Sequence, residues 1–451
     1  MNRMKPERKL RILTVCQGET PSTHIRLYDP LGRMEQAGRL QWRKAYLASL
    51  SRADLDWADL ILLQRLDNPA GFDAIEIAHL YGKPVIYDTD DNWVDPPPEY
   101  HPAYVYHSSI LVRNTVERYL SKADLVTVST PALAEAFSRF QDRILVVPNT
   151  VDFEPPEPPG REGPCVRIGY AGTRTHDGDF EVVVPALVRL RREFGKRIAL
   201  VFLGCLPPGL DASEVELWGF SDDYKGYLAR LCRLGIQIAL APLRDNPFNR
   251  FKSNIKYLEY TLAGAAGVYS RSPAYEGSVQ DRITGLLVPH TEEAWYEAVK
   301  SLVQEPFLRK RLAAAARRDV AERFPPERTR QAWESAFSTA AREAAGRGRS
   351  RAALPSGPRK RKKVLYIGSG FLWPHTYIDE FLVRAFSSLG LEVAFCPLVP
   401  TPFYEQTVAL YSRFDDRFRE STLLRSLDTV TSKFGVRWVR GGRGVCDPAK
   451  V

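Results

Sequence analysis

The chain has 451 residues and a formal net charge of +9, and 44% of its residues are apolar. At roughly 150 residues per domain, this length predicts about three domains. No apolar run approaches the ~20 residues that a membrane-spanning helix requires. The N-terminus passes from basic residues directly into a strand-like run, so we also expect no signal peptide.

The positive charge is concentrated in one segment. Nine Lys and Arg residues and one Glu lie between Arg342 and Lys363, and they account for most of the net charge. This distribution argues against a nucleic-acid-binding face. The segment 342–363 contains Gly, Pro and Ser and is predicted to be a flexible linker. A solvated tether is the simpler interpretation, and contact with RNA or with an anionic inner-membrane surface is the alternative.

The six cysteines form no CxxC pair and no cluster with histidine. A metal site or a disulfide framework is therefore disfavoured, and a reducing cytoplasmic environment is expected.

Apolar strand-like runs that alternate with helix-length segments predict α/β units. Three of these runs lead into a Gly-containing turn: KLRILTVCQGE from Lys9, CVRIGYAGT from Cys165 and KKVLYIGSG from Lys362. Further strands are predicted at 58–65, 83–90, 123–130 and 142–149 in the first unit, and at 197–205, 236–243, 266–270 and 285–289 in the second. Such alternation predicts parallel sheets with ligands at the carboxyl ends of the strands.

The prolines and glycines after Asn149 predict the first domain boundary. The second unit ends in a long predicted helix that begins with prolines, PPERTRQAWESAFSTAAREAA. We expect this helix to pack back across the first domain. The last unit is either a small appended domain or the opening of one that the chain does not finish. The predicted parts are an N-terminal domain at 1–152, a hinge at 153–163, a C-terminal domain at 164–341, the linker at 342–363 and an appended α/β unit at 364–451.

The stretch FNRFKSNIKYLEYTLAG, residues 248–264, places lysines around a predicted helix start. Because a helix N-terminus carries partial positive charge, Lys252 and Lys256 there predict a bound anion. Glu259 follows less than two turns into the helix and could accept hydrogen bonds from sugar hydroxyls. A diphosphate joined to a ribose would satisfy both features. The alternative is an exposed basic helix with a Lys256–Glu259 surface pair.

The order VVPNTVD (146–152), RIGYAGTRTHDGDF, KSNIKYLEYTLAGAAGVYS and GLLVP resembles the retaining GT-B glycosyltransferases of family 4 type, over roughly residues 10–340. The resemblance implies an α/β fold in which two Rossmann-like domains face each other across a cleft. It implies that the C-terminal domain binds a nucleotide diphosphate-sugar and that the acceptor docks mainly on the N-terminal domain. It also implies no protein-bound metal, and we expect no cofactor besides that co-substrate.

Members of this family usually carry two glutamates eight residues apart in the corresponding helix. The second falls on Glu259, which by resemblance contacts the nucleotide ribose, and the first falls on Phe251, so the pair is incomplete. Lys252, beside Phe251, is expected to contact phosphate instead. We expect Arg174, Lys252 and Lys256 to neutralise the leaving diphosphate. The donor-binding candidates are Gly172, Thr173, Asn249, Ser253, Asn254 and Glu259.

The loop that contains Gly172 lacks the GxGxxG pattern of dinucleotide enzymes, so NAD binding is disfavoured. In the first domain, VIYDTDDNW brings Asp88, Asp90 and Asp91 to the end of a strand. Three carboxylates could hold a divalent metal, but the resemblance favours a role for Asp90 and Asp91 toward acceptor hydroxyls or in shaping the cleft. A helix-capping Asp is the simpler alternative. The other acceptor-side candidates are His24, Arg26 and His101.

These observations predict a glycosyltransferase, retaining by resemblance, that acts in glycan or surface polysaccharide biosynthesis. A GT-B nucleotide-sugar epimerase and a non-catalytic sugar-nucleotide or polysaccharide-binding module are the alternatives. The nucleotide and the sugar stay open, and the acceptor could be a glycan, a lipid-linked glycan or a protein.

Overall fold

The chain folds into two compact units, which consist of residues 1–47 with 53–351 and of residues 48–52 with 352–451. The structure is a computed structural model. It describes residues 8–68, 71–96, 106–153, 165–219, 223–350, 363–368 and 392–397.

The N-terminal half of the first unit is built on a six-stranded, all-parallel sheet with the order β2-β1-β3-β4-β5-β6. Its strands are β1 Leu10–Cys16, β2 Leu40–Tyr46, β3 Leu60–Gln64, β4 Val85–Thr89, β5 Leu125–Val128 and β6 Ile144–Val146. A π-helical turn, His24–Tyr28, joins the first two helices. The helices are α1 Pro21–Thr23, α2 Asp29–Gln36, α3 Arg52–Trp57, α4 Phe72–Leu80, α5 Ile110–Lys122 and α6 Pro131–Phe137.

The C-terminal half is built on a second six-stranded, all-parallel sheet with the order β12-β11-β10-β7-β8-β9. Its strands are β7 Val166–Ala171, β8 Ile198–Leu203, β9 Val215–Trp218, β10 Ile238–Ala241, β11 Ala266–Ser270 and β12 Leu286–Val288. The helices are α7 Val183–Phe194, α8 Tyr224–Arg233, α9 Ile255–Leu262, α10 Pro273–Glu276, α11 Glu292–Gln304, α12 Pro306–Arg323 and α13 Pro326–Ser350.

Each sheet has one point at which the strand order reverses. The reversal lies between β1 and β3 in the first sheet and between β7 and β10 in the second. Open α/β sheets bind ligands in the crevice beyond the strand ends at such a point. The loops that follow these four strands are therefore the first places to look for a site.

The central strands are buried on both faces. In β3, Leu60, Ile61, Leu62 and Leu63 are all 0% exposed, as expected for a parallel sheet covered by helices on both sides. The predicted apolar strands are confirmed. The two strands that the sequence analysis missed, β2 and β9, are edge strands with mixed burial, and their sequences LQWRKAY and VELW lack a continuous apolar run.

Helix α13 crosses back to the N-terminal half, as predicted. Its Trp333, Ala336, Phe337 and Ala340 join the core cluster that contains Ile12 of β1. Full burial of one large apolar side chain contributes about 1.5–3 kcal/mol, so this helix helps to hold the two halves together.

Two predicted segments differ from the structure or lie outside it. Helix α13 continues through Ser350, so residues 342–350 of the predicted linker are helical. The reason is that REAA at 342–345 continues the good helix-forming residues of the preceding turns. Residues 351–362 of the linker, and the predicted hinge apart from residue 153, lie outside the described residues.

The second compact unit contributes two described strands, β13 Lys363–Gly368 and β14 Glu392–Pro397. They pair in parallel, with Lys363 opposite Glu392. The first of these strands was predicted, in the run KKVLYIGSG. Within the described part of the chain, every helix is too short or too polar to cross a membrane.

Candidate active site in the cleft

The cleft lies between the carboxyl ends of the two large sheets and is crossed by side-chain contacts. Lys252 Nζ lies 2.8 Å from Asp91 Oδ1. Asn149 Nδ2 donates to Ser253 Oγ at 3.0 Å, and the Thr130 hydroxyl donates to the Phe251 carbonyl at 3.2 Å. The segment just before α9 is therefore attached to the N-terminal half.

On the N-terminal side, Arg26 and Asp88 form a buried ion pair, with side chains 1% and 0% exposed. The guanidinium donates to both oxygens of Asp88, at 2.6 and 3.2 Å. It also donates to Asn149 Oδ1 at 3.0 Å and to the Val147 carbonyl. The predicted contact of Arg26 with donor or acceptor is not supported, because the side chain is buried in its own network and stabilises the fold.

Asp90 and Asp91 follow β4 and share Arg65, whose guanidinium nitrogens lie 3.6 Å from Asp90 and 3.8 Å from Asp91. Arg65 has a φ of 50°, a left-handed conformation that costs a non-Gly residue about 1 kcal/mol or more and clusters at functional sites. Ser22 Oγ donates to Asp90 Oδ2. Asp90 Oδ1 is buried and has no hydrogen-bond partner among the described residues.

The pKa values of the two neighbouring carboxyl groups are shifted in opposite directions. Burial raises the pKa of Asp90, and the charge of Asp91 adds to that effect although Arg65 opposes it. Burial also disfavours ionisation of Asp91, but Lys252 and Arg65 outweigh it and lower the pKa of Asp91. Two carboxyl groups with separated pKa values can take different roles in one site.

An aromatic wall stands beside these carboxylates. The rings of Trp93 and His107 stack with centroids 4.0 Å apart, and Phe248 of the C-terminal half lies 5.1 Å from Trp93. The Arg65 guanidinium lies 5.5 Å from the Trp93 ring. Burial lowers the pKa of His107. His101, the predicted acceptor-side histidine, lies outside the described residues.

His24 occupies the first residue of the π-helical turn after α1. Its Nε2 lies 3.5 Å from Glu19, and its ring contacts those of Tyr28 at 5.2 Å and Tyr224 at 6.4 Å. Tyr224 belongs to α8 of the C-terminal half, so His24 is on the cleft side, as expected.

On the C-terminal side, Glu259 is only 3% exposed. Its Oε1 accepts from the Tyr224 hydroxyl at 3.1 Å, and its Oε2 accepts from the Tyr227 hydroxyl at 2.9 Å. Lys256 Nζ donates to the same Oε2 at 2.8 Å. Glu259 is thus a buried charge with full pairing, and the alternative of an exposed surface pair with Lys256 is wrong.

These contacts show which negative charges face Lys252 and Lys256, the two lysines near the start of α9. The helix begins at Ile255 after Asn254, whose side chain makes no capping hydrogen bond. Lys252 therefore precedes the first turn and faces Asp91, while Lys256 faces Glu259. Each lysine already has a carboxylate of the protein as its counter-ion, so any ligand anion would share these cations.

The loop after β7 carries three predicted donor-side residues. A Cβ on Gly172 would lie 2.3 Å from the Tyr170 hydroxyl, so glycine is required there by Tyr170. Thr173 and Thr175 share a hydroxyl hydrogen bond of 2.6 Å. The Arg174 side chain is 82% exposed and pairs with Asp177 at 3.4 Å. Its charge and that of Lys256 both act on the pKa of the Cys205 thiol.

Asn249 is buried and binds the protein itself. Its Nδ2 donates to Asp179 Oδ1 at 2.8 Å and to the Arg244 carbonyl at 3.0 Å. The main-chain amide of Arg244 donates to the same Asp179 oxygen at 2.8 Å. Asn249 therefore connects the loop after β10 to the loop after β7.

Comparison with known proteins identifies the architecture. No protein-family model matches the chain, and no curated protein does either. The structure is similar to HepE from Anabaena, solved with UDP and glucose, with a TM-score of 0.54 and 15% identity over 73% of this chain and 100% of that chain. It is similar to sucrose-phosphate synthase from Thermosynechococcus elongatus, with a TM-score of 0.55 and 15% identity over 73% of this chain and 98% of that chain. It is also similar to a glycosyltransferase from Rickettsia africae ESF-5, with a TM-score of 0.52 and 12% identity over 74% of this chain and 99% of that chain. The chain has the GT-B fold. The predicted fold class is thereby confirmed.

Sequence reasoning missed four residues of the cleft: Arg65, Asp179, Tyr224 and Tyr227. The partners of the two tyrosines lie 32 and 35 residues away in sequence, and no local spacing marks such contacts. The motif HDGD at 176–179 was the one available signal for Asp179, because a His and an Asp three residues apart can meet on one helical turn.

Proposed function

We propose that this chain is a glycosyltransferase that moves a sugar from a nucleotide diphosphate-sugar to an acceptor hydroxyl, with retention at the anomeric carbon. The observation that carries the proposal is the meeting of the Lys256–Glu259 and Lys252–Asp91 pairs at the facing carboxyl ends of two parallel sheets. That position is where open α/β sheets bind ligands. Retention and a role in glycan or surface polysaccharide biosynthesis rest on the family resemblance.

The donor would occupy the C-terminal side. A diphosphate would share the Lys256 ammonium with Glu259, because an ammonium has three N–H donors and Glu259 and Tyr227 engage it at 2.8 and 3.2 Å. The ribose hydroxyls would replace the tyrosine hydroxyls on Glu259. Lys252 would reach the diphosphate when it exchanges Asp91 for a phosphate oxygen. No cofactor or metal is included in this proposal.

The acceptor would occupy the N-terminal side. Asp90 Oδ1 is a buried acceptor atom without a hydrogen-bond partner in the described residues, although Arg65 Nε lies 3.6 Å from it. The aromatic wall of Trp93 and His107 stands in the same cleft. A carboxylate beside an aromatic face suits a sugar, which presents hydroxyls and an apolar ring face. We therefore propose a glycan hydroxyl as the acceptor. The departing phosphate takes the proton of that hydroxyl, so the reaction requires no separate base.

The test is acceptor-dependent release of nucleoside diphosphate. UDP-glucose is the first donor to try, because HepE, which shares the fold, was solved with UDP-glucose. We expect Lys256→Ala and Glu259→Ala to lower kcat/KM by about 100-fold or more, the effect of losing one preorganised electrostatic group. Release that is unchanged in both variants would contradict the proposed site.

A matched control is Lys300→Ala. Lys300 forms another lysine–glutamate pair of the same half, 2.8 Å from Glu193, on helices α7 and α11 rather than at the cleft. This variant should stay within threefold of the wild-type rate.

A nucleotide-sugar epimerase is the second candidate. It is favoured by one observation, that Asp90, Asp91 and His107 line one cleft and could exchange protons with a sugar ring. An epimerase would change the sugar configuration or release nucleotide without an acceptor. Release of nucleoside diphosphate only in the presence of an acceptor supports transfer. Donor binding with no turnover would favour a binding module.

A further inference from the structure

The cluster formed by His176, Asp179 and Asn249 has no role in the function proposed above. Asp179 is 5% exposed, and three hydrogen bonds engage its carboxylate. The Arg244 amide and the Asn249 side chain both donate to Oδ1 at 2.8 Å, and His176 Nδ1 lies 2.7 Å from Oδ2. A buried carboxylate held in this way keeps a fixed orientation.

The carboxylate determines the state of the His176 ring. An ionised carboxylate can only accept hydrogen bonds, so Nδ1 must carry a hydrogen. The hydrogen bond to Asp179 engages Nδ1, and Nε2 lies at the opposite end of the ring. Nε2 is therefore either a bare lone pair or, in the imidazolium, a charged N–H donor.

The position of the ring places it on the cleft side of the loop after β7. His176 lies in the turn Arg174–Phe180 at the carboxyl end of that strand. Its ring meets that of Tyr170 at 6.4 Å, and the Lys256 ammonium lies 6.0 Å from the same Tyr170 ring. The charge of His176 is also among those that lower the pKa of Asp91, on the opposite wall.

We propose that His176, held by Asp179, is a catalytic residue that donates a charged Nε2–H hydrogen bond to the diphosphate of the donor. This inference rests on the proposed function and identifies a further cation of that site. A phosphate oxygen is only an acceptor, so it selects the imidazolium form. When the bond between the anomeric carbon and the phosphate oxygen breaks, the electron pair goes to the phosphate. The acceptor oxygen forms the new bond, its proton goes to the phosphate, and His176 keeps its own proton throughout.

The groups that face the ring limit the interpretation of any proton measurement. Asp179 contacts Nδ1, the Tyr170 hydroxyl group is on the ring packed beside it, and Asp91 acts from across the cleft. Burial raises the pKa of Tyr170 well above its ordinary value, so this tyrosine stays neutral. The difference in proton uptake between wild type and His176→Ala therefore reports on His176, because it cancels any proton that the ligand itself exchanges.

The variant Asp179→Asn tests the positive charge of the His176 ring separately from the hydrogen bond that its Nε2–H donates. Two donors, the Arg244 amide and Asn249 Nδ2, face Oδ1, so the amide oxygen of the new Asn must take that side. Its NH2 group then faces Nδ1 of His176, which becomes an acceptor. The ring is held neutral with the hydrogen on Nε2, in the way that an Asp→Asn change alters the tautomer in a catalytic triad.

The first measurement is steady-state nucleoside diphosphate release. We expect His176→Ala to lower kcat about 100-fold or more while KM changes only a few-fold, because the lost interaction strengthens in the transition state. Asp179→Asn should lower kcat about tenfold, since a neutral donor remains. A kcat for His176→Ala within threefold of wild type overturns the proposal, and a wild-type kcat for Asp179→Asn overturns the charged form.

The matched control is His79→Gln. His79 and Asp124 form another His–Asp contact, at 3.3 Å. It lies beside the start of β4 in the first sheet, at the amino end of the strand and away from the cleft at the carboxyl ends. This variant should keep the wild-type kcat. If it loses kcat as His176→Ala does, the effect is structural and the proposal fails.

A second arm works without turnover. Binding of UDP and of inorganic pyrophosphate is followed by calorimetry at about pH 8 in two buffers that differ in ionisation enthalpy. Wild type should take up more protons per bound ligand than His176→Ala and Asp179→Asn, and the ligand's own proton exchange is common to all three. Binding with the same uptake in His176→Ala overturns the role of His176. Absence of binding by both probes contradicts the proposed function as well as this inference. Binding with the His176-dependent uptake but without any transfer contradicts the proposed transfer and the catalytic role of His176, and supports only its contact with the diphosphate.

Discussion

The buried carboxyl groups of the cleft differ in how completely the protein pairs them. In the C-terminal half, both oxygens of Glu259 and both oxygens of Asp179 have hydrogen-bond donors. In the N-terminal half, Asp90 Oδ1 and Asn92 Oδ1 are buried and have no hydrogen-bond partner among the described residues. An unpaired buried polar atom costs about 1–3 kcal/mol. The comparison teaches that the protein itself holds Glu259 and Asp179 in place, as it holds Asp88 in the N-terminal half, whereas Asp90 Oδ1, with Arg65 Nε 3.6 Å away, can accept a hydrogen bond from a ligand. The difference is between sites and not between whole halves, because the Tyr170 hydroxyl and Asp177 Oδ1 of the C-terminal half are also buried without a hydrogen-bond partner among the described residues.

The strongest test of this comparison breaks a closed network on the N-terminal side. Arg26→Ala would leave Asp88 buried without its counter-ion. Removal of one partner of a buried ion pair typically costs about 3–5 kcal/mol, so a loss of this size is expected in chemical denaturation. The matched control is Arg39→Ala, whose partner Glu334 lies 3.3 Å away at an exposed site. It should cost less than about 1 kcal/mol. Equal losses in the two variants would contradict the assignment of Arg26 to the fold.

The second test compares the neighbours Asp90 and Asp91. Asp91→Asn removes a charge that Lys252 stabilises and should lower the free energy of unfolding at pH 7 by about 1–3 kcal/mol, the range for a charged hydrogen bond. Asp90→Asn removes a charge that burial disfavours, so it should leave stability unchanged or raise it. Thermal unfolding measures both, and a stability loss in Asp90→Asn as large as that in Asp91→Asn would refute the difference.

The pH dependence of stability gives the same comparison in wild type. The folded-state pKa of Asp91 is lowered, so its stabilising contribution is present above the unfolded value of about 4 and is lost as pH falls through the folded value. The folded-state pKa of Asp90 is raised, so its ionisation costs stability at neutral pH, and that cost disappears as pH falls through the folded value. Asp91→Asn should therefore reduce the loss of stability in acid, and Asp90→Asn should reduce any gain on mild acidification.

The smallest effect is expected at Tyr170. Its hydroxyl is buried without a hydrogen-bond partner in the described residues, so Tyr170→Phe should raise the free energy of unfolding by about 1 kcal/mol. A loss of stability instead would mean that the hydroxyl is hydrogen-bonded in the folded protein. A weaker affinity for UDP in this variant, together with higher stability, would indicate that the hydroxyl serves the donor.

The sequence predicted the fold where burial is uniform. Strands such as β3 and β10 are apolar along their length and were located, as were the apolar edge strands β6 and β12. The edge strands β2 and β9 were missed because LQWRKAY and VELW contain no continuous apolar run. The GT-B architecture followed from the order of motifs and is confirmed by the structure. The end of α13 was misjudged because Gly and charged residues in a helix were taken for a linker.

For the site, the sequence located the segments but not the partners. The segments that carry Lys252, Glu259 and Asp91 follow strands or begin a helix that the sequence predicted and the structure contains. Lys252 and Asp91 are 161 residues apart in sequence, and Glu259 is 32 and 35 residues from its two tyrosine partners. Local spacing cannot reveal such contacts. Arg65 was missed because the sequence gives no sign that a residue other than Gly adopts a positive φ there. Arg26 was taken for a ligand-binding residue because a polar sequence motif does not show that its side chain is buried.

The central claim, that the cleft binds a nucleotide diphosphate-sugar at the start of α9, is tested most directly by thermal unfolding in the presence of UDP-, GDP-, ADP- and dTDP-sugars. Binding to the folded state raises the apparent melting temperature by mass action. The account predicts a rise with one nucleotide class in wild type and its loss in Lys256→Ala and Glu259→Ala. No rise with any of the four, or the same rise in both variants, would contradict it.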